Sequence, residues 1–205
     1  MTRTIYIVDD DPNIRASMLS LLGRLENVAI RSFASGDAFL ADLEDLPPGV
    51  LLLDMHMPGA SGLDVLRALE AAGNRSAAVV ITGQGDMTLA VQSMKAGAID
   101  FVEKPFDHKE LLGLIDDGFA RIEETNAIAE RENEARTRVA ALSPRERDVL
   151  DGLIAGRANK VIANDHGISP RTIEIYRANL MEKLEAKTLA DVLRIAFAAG
   201  IVGEV

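Results

Sequence analysis

The chain has 205 residues, 48% of them hydrophobic but only 4% aromatic, with no cysteine and a formal net charge of −10. That length allows one domain or two small ones built on aliphatic cores, and the missing cysteines exclude disulfides and thiolate metal sites. The net charge argues against a simple nucleic-acid binder, and no apolar run is long enough to span a bilayer.

Thr4–Val8 reads as a strand buried on both faces, and Asp9, Asp10 and Asp11 follow it directly. With a strand starting so early, no secretory leader is expected, and the cytoplasm is the default compartment. A helix is predicted over Pro12–Arg24, with Pro12 in its first turn and Asp11 as its cap. Strand Ala29–Phe33 leads to helix Ser35–Leu43, capped by Ser35. A second apolar strand, Val50–Asp54, ends in a fourth carboxylate, Asp54. Helix Gly62–Ala72, strand Ala77–Thr82, helix Met87–Ala96 and strand Asp100–Glu103 complete the alternation. Such a pattern implies a parallel sheet with helices on both faces. Gly83-Gln84-Gly85 lacks the third glycine of a dinucleotide motif and is a weak signal.

From His108 the pattern becomes helical, with Leu111, Leu112, Ile115, Phe119 and Ile122 on one face. No Gly or Pro interrupts it after Gly118, so one long helix is predicted, its second half a linker. Ile115, Ile122, Ala129 and Arg136 make only a weak coiled-coil seam. A solvated spacer and a dimerising helix both remain open. Ser143-Pro144-Arg145-Glu146 then combines a cap, a first-turn proline and a capping-box glutamate. Helices are expected to about Ala155, over Asn159–His166, from Ser169-Pro170 to about Ala186, and over Thr188–Ala199. Four short helices with Gly and Ser-Pro junctions fit a helix-turn-helix unit.

The charge is unevenly placed. Residues 1–120 carry 9 basic and 18 acidic side chains, residues 142–205 carry 9 of each, and the segment 157–187 carries 6 basic and 4 acidic. The acidity belongs to the first part, where Asp9, Asp10, Asp54, Thr82 and Lys104 sit at or just after strand ends. In open α/β sheets those ends converge on the ligand-binding edge. Carboxylates gathered there repel and need a cation, and Mg²⁺ suits oxygen donors. A metal and a lysine neutralise a transferring phosphoryl group, a hydroxyl bonds its oxygens, and one carboxylate is the nucleophile. Singly, each residue reads as a turn former, a cap or a surface ion pair; their joint placement suggests a site.

The motifs Val8-Asp9-Asp10, Asp54-Met-His-Met-Pro58, Ile81-Thr82-Gly83 and Phe101-Val-Glu-Lys-Pro-Phe106 resemble those of two-component response-regulator receivers. The resemblance covers about residues 3–120. It implies a flavodoxin-like, doubly wound, five-stranded parallel sheet in which Asp54 accepts phosphate from a sensor histidine kinase. It further implies Mg²⁺ held by Asp9, Asp10, Asp54 and the backbone carbonyl of His56, with Thr82 and Lys104 on the phosphoryl oxygens. Lys104-Pro105 is expected to be cis. Thr82 and Phe101 occupy the switch positions, with phenylalanine where relatives often carry tyrosine. The His56 imidazole reads equally as an influence on phosphoryl hydrolysis or as a solvent-facing loop group.

Leu142-Ser-Pro-Arg-Glu-Arg147, Gly156–Ala163, Ile168–Arg177 and Lys183-Leu184 resemble the LuxR/NarL/FixJ helix-turn-helix domain over about residues 138–200. The whole chain thus resembles FixJ/NarL-type response regulators: a receiver at 1–120, a helical linker at 121–141 and an all-α four-helix DNA-binding domain at 142–205. A recognition helix burying Ile173, Leu180 and Leu184 presents Arg171, Thr172, Glu174, Ile175, Arg177, Ala178 and Asn179. Glu174 suits cytosine, Asn179 adenine, and Arg177 guanine or phosphate. Lys160, Thr172 and Lys183 read as phosphate contacts, which position without specifying. The implied partners are the kinase, double-stranded promoter DNA, a second copy upon phosphorylation, and RNA polymerase, with no membrane.

Two other readings compete. Haloacid-dehalogenase-type phosphatases also form an aspartyl phosphate, but they need an aspartate two residues after the nucleophile, and here that place is His56. An adaptor using its tail for protein contacts is the other.

Overall fold

The computed structural model describes residues 3–83 and 87–201. Strands β1 (Arg3–Val8), β2 (Val28–Phe33), β3 (Val50–Asp54), β4 (Ala77–Thr82) and β5 (Asp100–Glu103) form one parallel sheet in the order β2-β1-β3-β4-β5. Between them run helices α1 (Pro12–Leu22), α2 (Gly36–Asp42), α3 (Gly62–Ala71) and α4 (Met87–Lys95). Helix α5 (His108–Ala140) follows β5. Of the weak Gly83-Gln84-Gly85 motif, the last two residues lie outside the described set.

The period-two alternation of each strand divides the core. Tyr6, Val8, Leu51, Leu53, Ala78 and Val80 face one layer, with Phe39, Val65, Leu66 and Leu69 of α2 and α3. Ile5, Ile7, Val50, Leu52, Val79 and Ile81 face the other, against Met18 and Leu22 of α1 and Leu111, Ile115, Phe119 and Ile122 of α5. β1, β3 and β4 are therefore apolar at successive positions, as strands covered on both sides must be.

Caps fall where the side chains dictate. Asp11 accepts from the Asn13 amide at 2.7 Å, and Ser35 accepts from Ala38 at 3.1 Å. The α2 helix stops one residue short of its predicted end, because Leu43–Asp45 tightens into a 3₁₀ turn before Pro47.

The chain divides into two compact units, Met1–Thr125 and Asn126–Val205, so the boundary falls inside α5 and inside the segment predicted as linker. In the second unit Ala135 and Val139 are buried, and Val139 and Leu142 belong to its core. The last turns of α5 are thus part of the second fold rather than a free spacer. Arg136, on the predicted heptad seam, is exposed.

Helices α6 (Pro144–Ile154), α7 (Asn159–Asp165), α8 (Pro170–Lys183) and α9 (Leu189–Ala198) complete the second unit. Ser143 and Glu146 form the anticipated capping box, and Thr188 with Asp191 forms another. α8 ends at Lys183, three residues before its predicted end, because Glu185 takes a left-handed φ of 54°. Ile173, Leu180 and Leu184 are fully buried, as the apolar spacing requires.

One contact ties the fold to the loop after β3. A Cβ on Gly36 would lie 2.3 Å from the Ala60 carbonyl oxygen, and the Ala60 amide donates to Asp37 at 3.1 Å. Gly36→Ala is expected to destabilise the protein by about 1–3 kcal/mol through overpacking against backbone. A lowered urea midpoint with an unchanged slope would show it.

Candidate phosphoryl site and helix-turn-helix face

Sheet register brings the first site together. Val8 lies beside Leu53, Asp54 beside Ile81, and Thr82 beside Glu103. Each strand therefore delivers its next residue, Asp9, Asp54, Thr82 or Lys104, to the same carboxyl edge. Asp9, Asp54 and Thr82 are buried, at 1%, 6% and 1% exposure.

Lys104 organises the acids. Its Nζ donates to Asp9 Oδ2 at 2.9 Å and to Asp54 Oδ1 at 2.6 Å. The remaining oxygen of each carboxylate takes a main-chain amide two residues on: Asp11 N–H to Asp9 Oδ1 at 2.8 Å, and His56 N–H to Asp54 Oδ2 at 2.8 Å. Both carboxylates are thus fixed at both oxygens. Lys104-Pro105 is cis. Burial pushes the Asp54 carboxyl above its usual range, against the Lys104 hydrogen bond and charge, with the Asp9 charge adding to the rise. Burial works against the Lys104 ammonium, but the two carboxylates hold its pKa above the ordinary value.

Other predicted members sit less tightly. Asp10 and the His56 side chain are exposed. The Thr82 hydroxyl donates to the Gly83 carbonyl at 3.2 Å. Phe101 is half-buried and packs against the α2–α3 side of the core. Among the described residues, no three His, Cys, Asp or Glu side chains gather closely enough to hold a metal. Two hard carboxylates facing each other still fit Mg²⁺, which keeps several waters and takes few protein ligands. A cavity of about 700 Å³, lined in part by Arg75, Ala77, Asp100, Leu114 and Arg121, lies at the opposite, amino-terminal edge of the sheet.

Arg15 is a member that sequence reasoning missed. Its guanidinium donates to the Asp9 and Asp10 carbonyls at 2.8 and 3.0 Å, bracing the acidic loop. A cation near a helix N-terminus runs against the helix dipole, which was the available signal that it had a partner.

In the second unit, α7 and α8 form the helix-turn-helix, with Gly167 at φ 65° in the turn. Ser169 caps α8, accepting from the Thr172 amide at 3.1 Å. Arg171, Glu174, Ile175, Ala178 and Asn179 are exposed, Ile175 at 55%, while Thr172 and Arg177 are half-buried. Arg177 donates to Asn159 Oδ1 at 3.3 Å, which joins α8 to α7 and leaves most of its five donors available. Lys160 is exposed. Lys183, expected from the sequence as a phosphate contact, has an ion-pair partner within its own unit. Its Nζ lies 2.7 Å from Glu146 Oε2, and Glu146 is only 3% exposed.

Residues 5–116 match the response regulator receiver domain family, and residues 140–196 match the bacterial regulatory proteins of the luxR family.

The chain is a response regulator.

It is 43% identical over 197 residues to the transcriptional regulatory protein FixJ of Azorhizobium caulinodans, covering 96% of this chain and 93% of that protein. FixJ of Rhizobium meliloti is 42% identical, with 96% of each chain covered. Among solved structures, the response regulator StyR matches with a TM-score of 0.82 at 34% identity, over 96% of this chain and 99% of that one. Full-length FixJ from B. japonicum matches with a TM-score of 0.60 at 40% identity, over 99% and 100%. The family is one of two-component transcriptional regulators, with a receiver that implies a histidine kinase and a LuxR-type domain that implies DNA binding. Receiver domains generally bind Mg²⁺ at the phosphorylation site. Among the described residues no helix is long and apolar enough to cross a membrane.

Glu146 makes a pH prediction. Burial acts to raise its carboxyl, but hydrogen bonds from Lys183 and Ser143 hold its pKa below the ordinary value. A depressed folded pKa means stabilisation that is present above the unfolded value, near 4.5, and lost as pH falls through the folded one. Glu146→Gln is therefore expected to cost about 1 kcal/mol at pH 7. In urea melts the gap from the parent protein should narrow as the pH is lowered toward 3; a gap independent of pH would contradict this.

Proposed function

We propose that Asp54 is the phosphoacceptor and that its phosphorylation drives dimerisation and promoter binding. The observation that carries this is the shared ammonium: Lys104 spans Asp9 and Asp54, so one group both holds the acids together and lies beside the reacting oxygens. A carboxylate oxygen of Asp54 attacks the phosphorus of a phosphohistidine. The new O–P bond forms as the P–N bond breaks, and the imidazole leaves with the electron pair. Lys104 offsets charge on the transferring group, and the Thr82 hydroxyl bonds an equatorial oxygen once it turns from Gly83.

Asp9, Asp10, Asp54 and the His56 carbonyl are the residues that would hold Mg²⁺, which when bound supplies neutralising charge to the phosphoryl oxygens. Asp9 is already oriented for this by the Asp11 amide. Asp10 is exposed and free of the core. Asp11 is the cap of α1, so the acidic triplet divides into two ligands and one structural residue.

Movement of Thr82 toward the phosphoryl group makes room for Phe101 to turn inward, and the receiver surface around α4 and β5 shifts between two populations. In the second unit, Arg171, Glu174, Ile175, Arg177, Ala178 and Asn179 read the major groove, and Lys160 and Thr172 contact phosphate. The active form is a homodimer in the cytoplasm, with RNA polymerase as a further contact at the promoter.

Two measurements test this. Asp54→Asn removes the nucleophilic oxygen and should abolish acyl-phosphate labelling, whereas persistent labelling would move the acceptor elsewhere. Sedimentation of the parent protein with a small phosphoryl donor and Mg²⁺ should show a monomer becoming a dimer. A monomer whose mass stays unchanged at full phosphorylation would reject dimerisation as the output.

A further inference from the structure

Glu146 is a buried acid with more to do than cap a helix. One oxygen, Oε2, accepts from the Ser143 amide at 2.7 Å and from Lys183 Nζ at 2.7 Å. The same ammonium approaches the Ala141 carbonyl at 3.5 Å. Lys183 is the last residue of α8, so the C-terminal end of the recognition helix is drawn onto the turn that joins α5 to α6. A second ion pair lies alongside it: Arg138 of α5 to Glu185, at 3.0 Å. Apolar packing continues the same junction, since Val139, Leu142, Leu184 and Ala186 share one core.

This arrangement reassigns a charge. Lysine near the end of a recognition helix ordinarily reads as a phosphate contact, but here the ammonium lies on an almost fully buried carboxylate. The partner is at 3% exposure, where an unpaired charge is costly. Pulling Lys183 away to a phosphate would strand that carboxylate.

We propose that Glu146 and Lys183 form an internal clamp that seats α8, so that Lys183 serves base reading by positioning the helix and does not itself bind phosphate. The clamp grips the C-terminal end of a 14-residue helix whose N-terminal turns carry Arg171, Thr172, Glu174 and Ile175. A small rotation at the gripped end displaces those side chains against base edges, where hydrogen-bond geometry is strict. Phosphate contacts tolerate the same displacement better. The clamp therefore supports specific binding more than non-specific binding. This rests on the DNA-reading role of α8.

The test is salt-dependent binding by the full chain, using a duplex selected from a random pool by the parent protein and a scrambled duplex. Lys183→Met should weaken binding to the selected duplex about tenfold, leave the scrambled duplex little changed, and keep the salt slope of the parent. Equal weakening on both duplexes, with the slope reduced by about 0.9, is the signature of one lost phosphate contact and would overturn the clamp.

Glu146→Gln separates the two readings by sign. Glutamine at this position keeps the capping bond to Ser143 but withdraws the charge from Lys183. The clamp predicts lost specificity with the cap intact, read as unchanged helical circular dichroism. If Lys183 is a phosphate contact held in check by Glu146, the variant should bind both duplexes more tightly with a steeper slope, and the clamp is wrong. Failure of the parent protein to select any sequence would instead count against α8 as the reading helix.

Discussion

The receiver half depends on one cation placed between two acids. Asp9 and Asp54 leave adjacent parallel strands at the same edge, and burial brings their like charges out of water. Without Lys104 that edge would be repulsive. With it, each carboxylate is held by an ammonium at one oxygen and a local amide at the other. The sheet supplies the closeness and Lys104 makes it tolerable. Burial still holds the Asp54 carboxyl above its ordinary range, against the hydrogen bond and charge of Lys104. A buried acid held in this state is favoured by further positive charge, which is the physical basis for expecting Mg²⁺ there.

The second unit uses the same device for a different end. Glu146 is also a buried carboxylate shared between an amide and a lysine. Here the acid is already satisfied by two partners, its pKa is depressed rather than raised, and no metal is called for. The contrast is instructive: one carboxylate is kept short of full compensation, the other is fully compensated. The first suits reaction, the second suits fixing a helix.

Much of this was legible in the residues themselves. Buried parallel strands show as continuous apolar runs, so β3 and β4 have the predicted limits, and the short edge strand β5 falls where expected as well. Caps show because Ser, Thr or Asp must precede a helix for a stated reason, and Asp11, Ser35, Ser143 and Ser169 all accept the expected amide, while Thr188, read as the first residue of α9, is its cap instead. The end of α8 was overestimated because Glu185 in a left-handed conformation carries no glycine to announce it. The end of α5 reads as linker because its buried positions, Ala135 and Val139, sit among charged residues and one of them is only an alanine, a weak apolar signal for a core. Pairings between distant charges were harder still. Arg15 on the acidic loop and Lys183 on Glu146 depend on three-dimensional closeness that spacing does not encode. Lys183 is read by its position on a helix, whereas the structure pairs it with Glu146, 37 residues earlier.

Charge at the phosphoryl site explains why the chemistry suits a signal. Asp9, Asp10 and Asp54 with Lys104 sum to two negative charges, which one divalent cation would cancel. A phosphoryl group on Asp54 replaces one negative charge by roughly two. The site then carries an excess that nearby donors must answer. Lys104 is already held between two acids, so the donor with freedom to respond is the Thr82 hydroxyl, whose present partner is only a neighbouring carbonyl at 3.2 Å. Thr82 ends β4, and β5 with Phe101 lies beside that strand. A turnover enzyme would need a group positioned to expel the phosphate, and at the position where dehalogenase-type phosphatases place that aspartate this chain has His56, which offers Asp54 a main-chain amide instead. On the proposed reading, the added charge is therefore answered by movement of Thr82, and the site stores a state that the sheet edge can transmit.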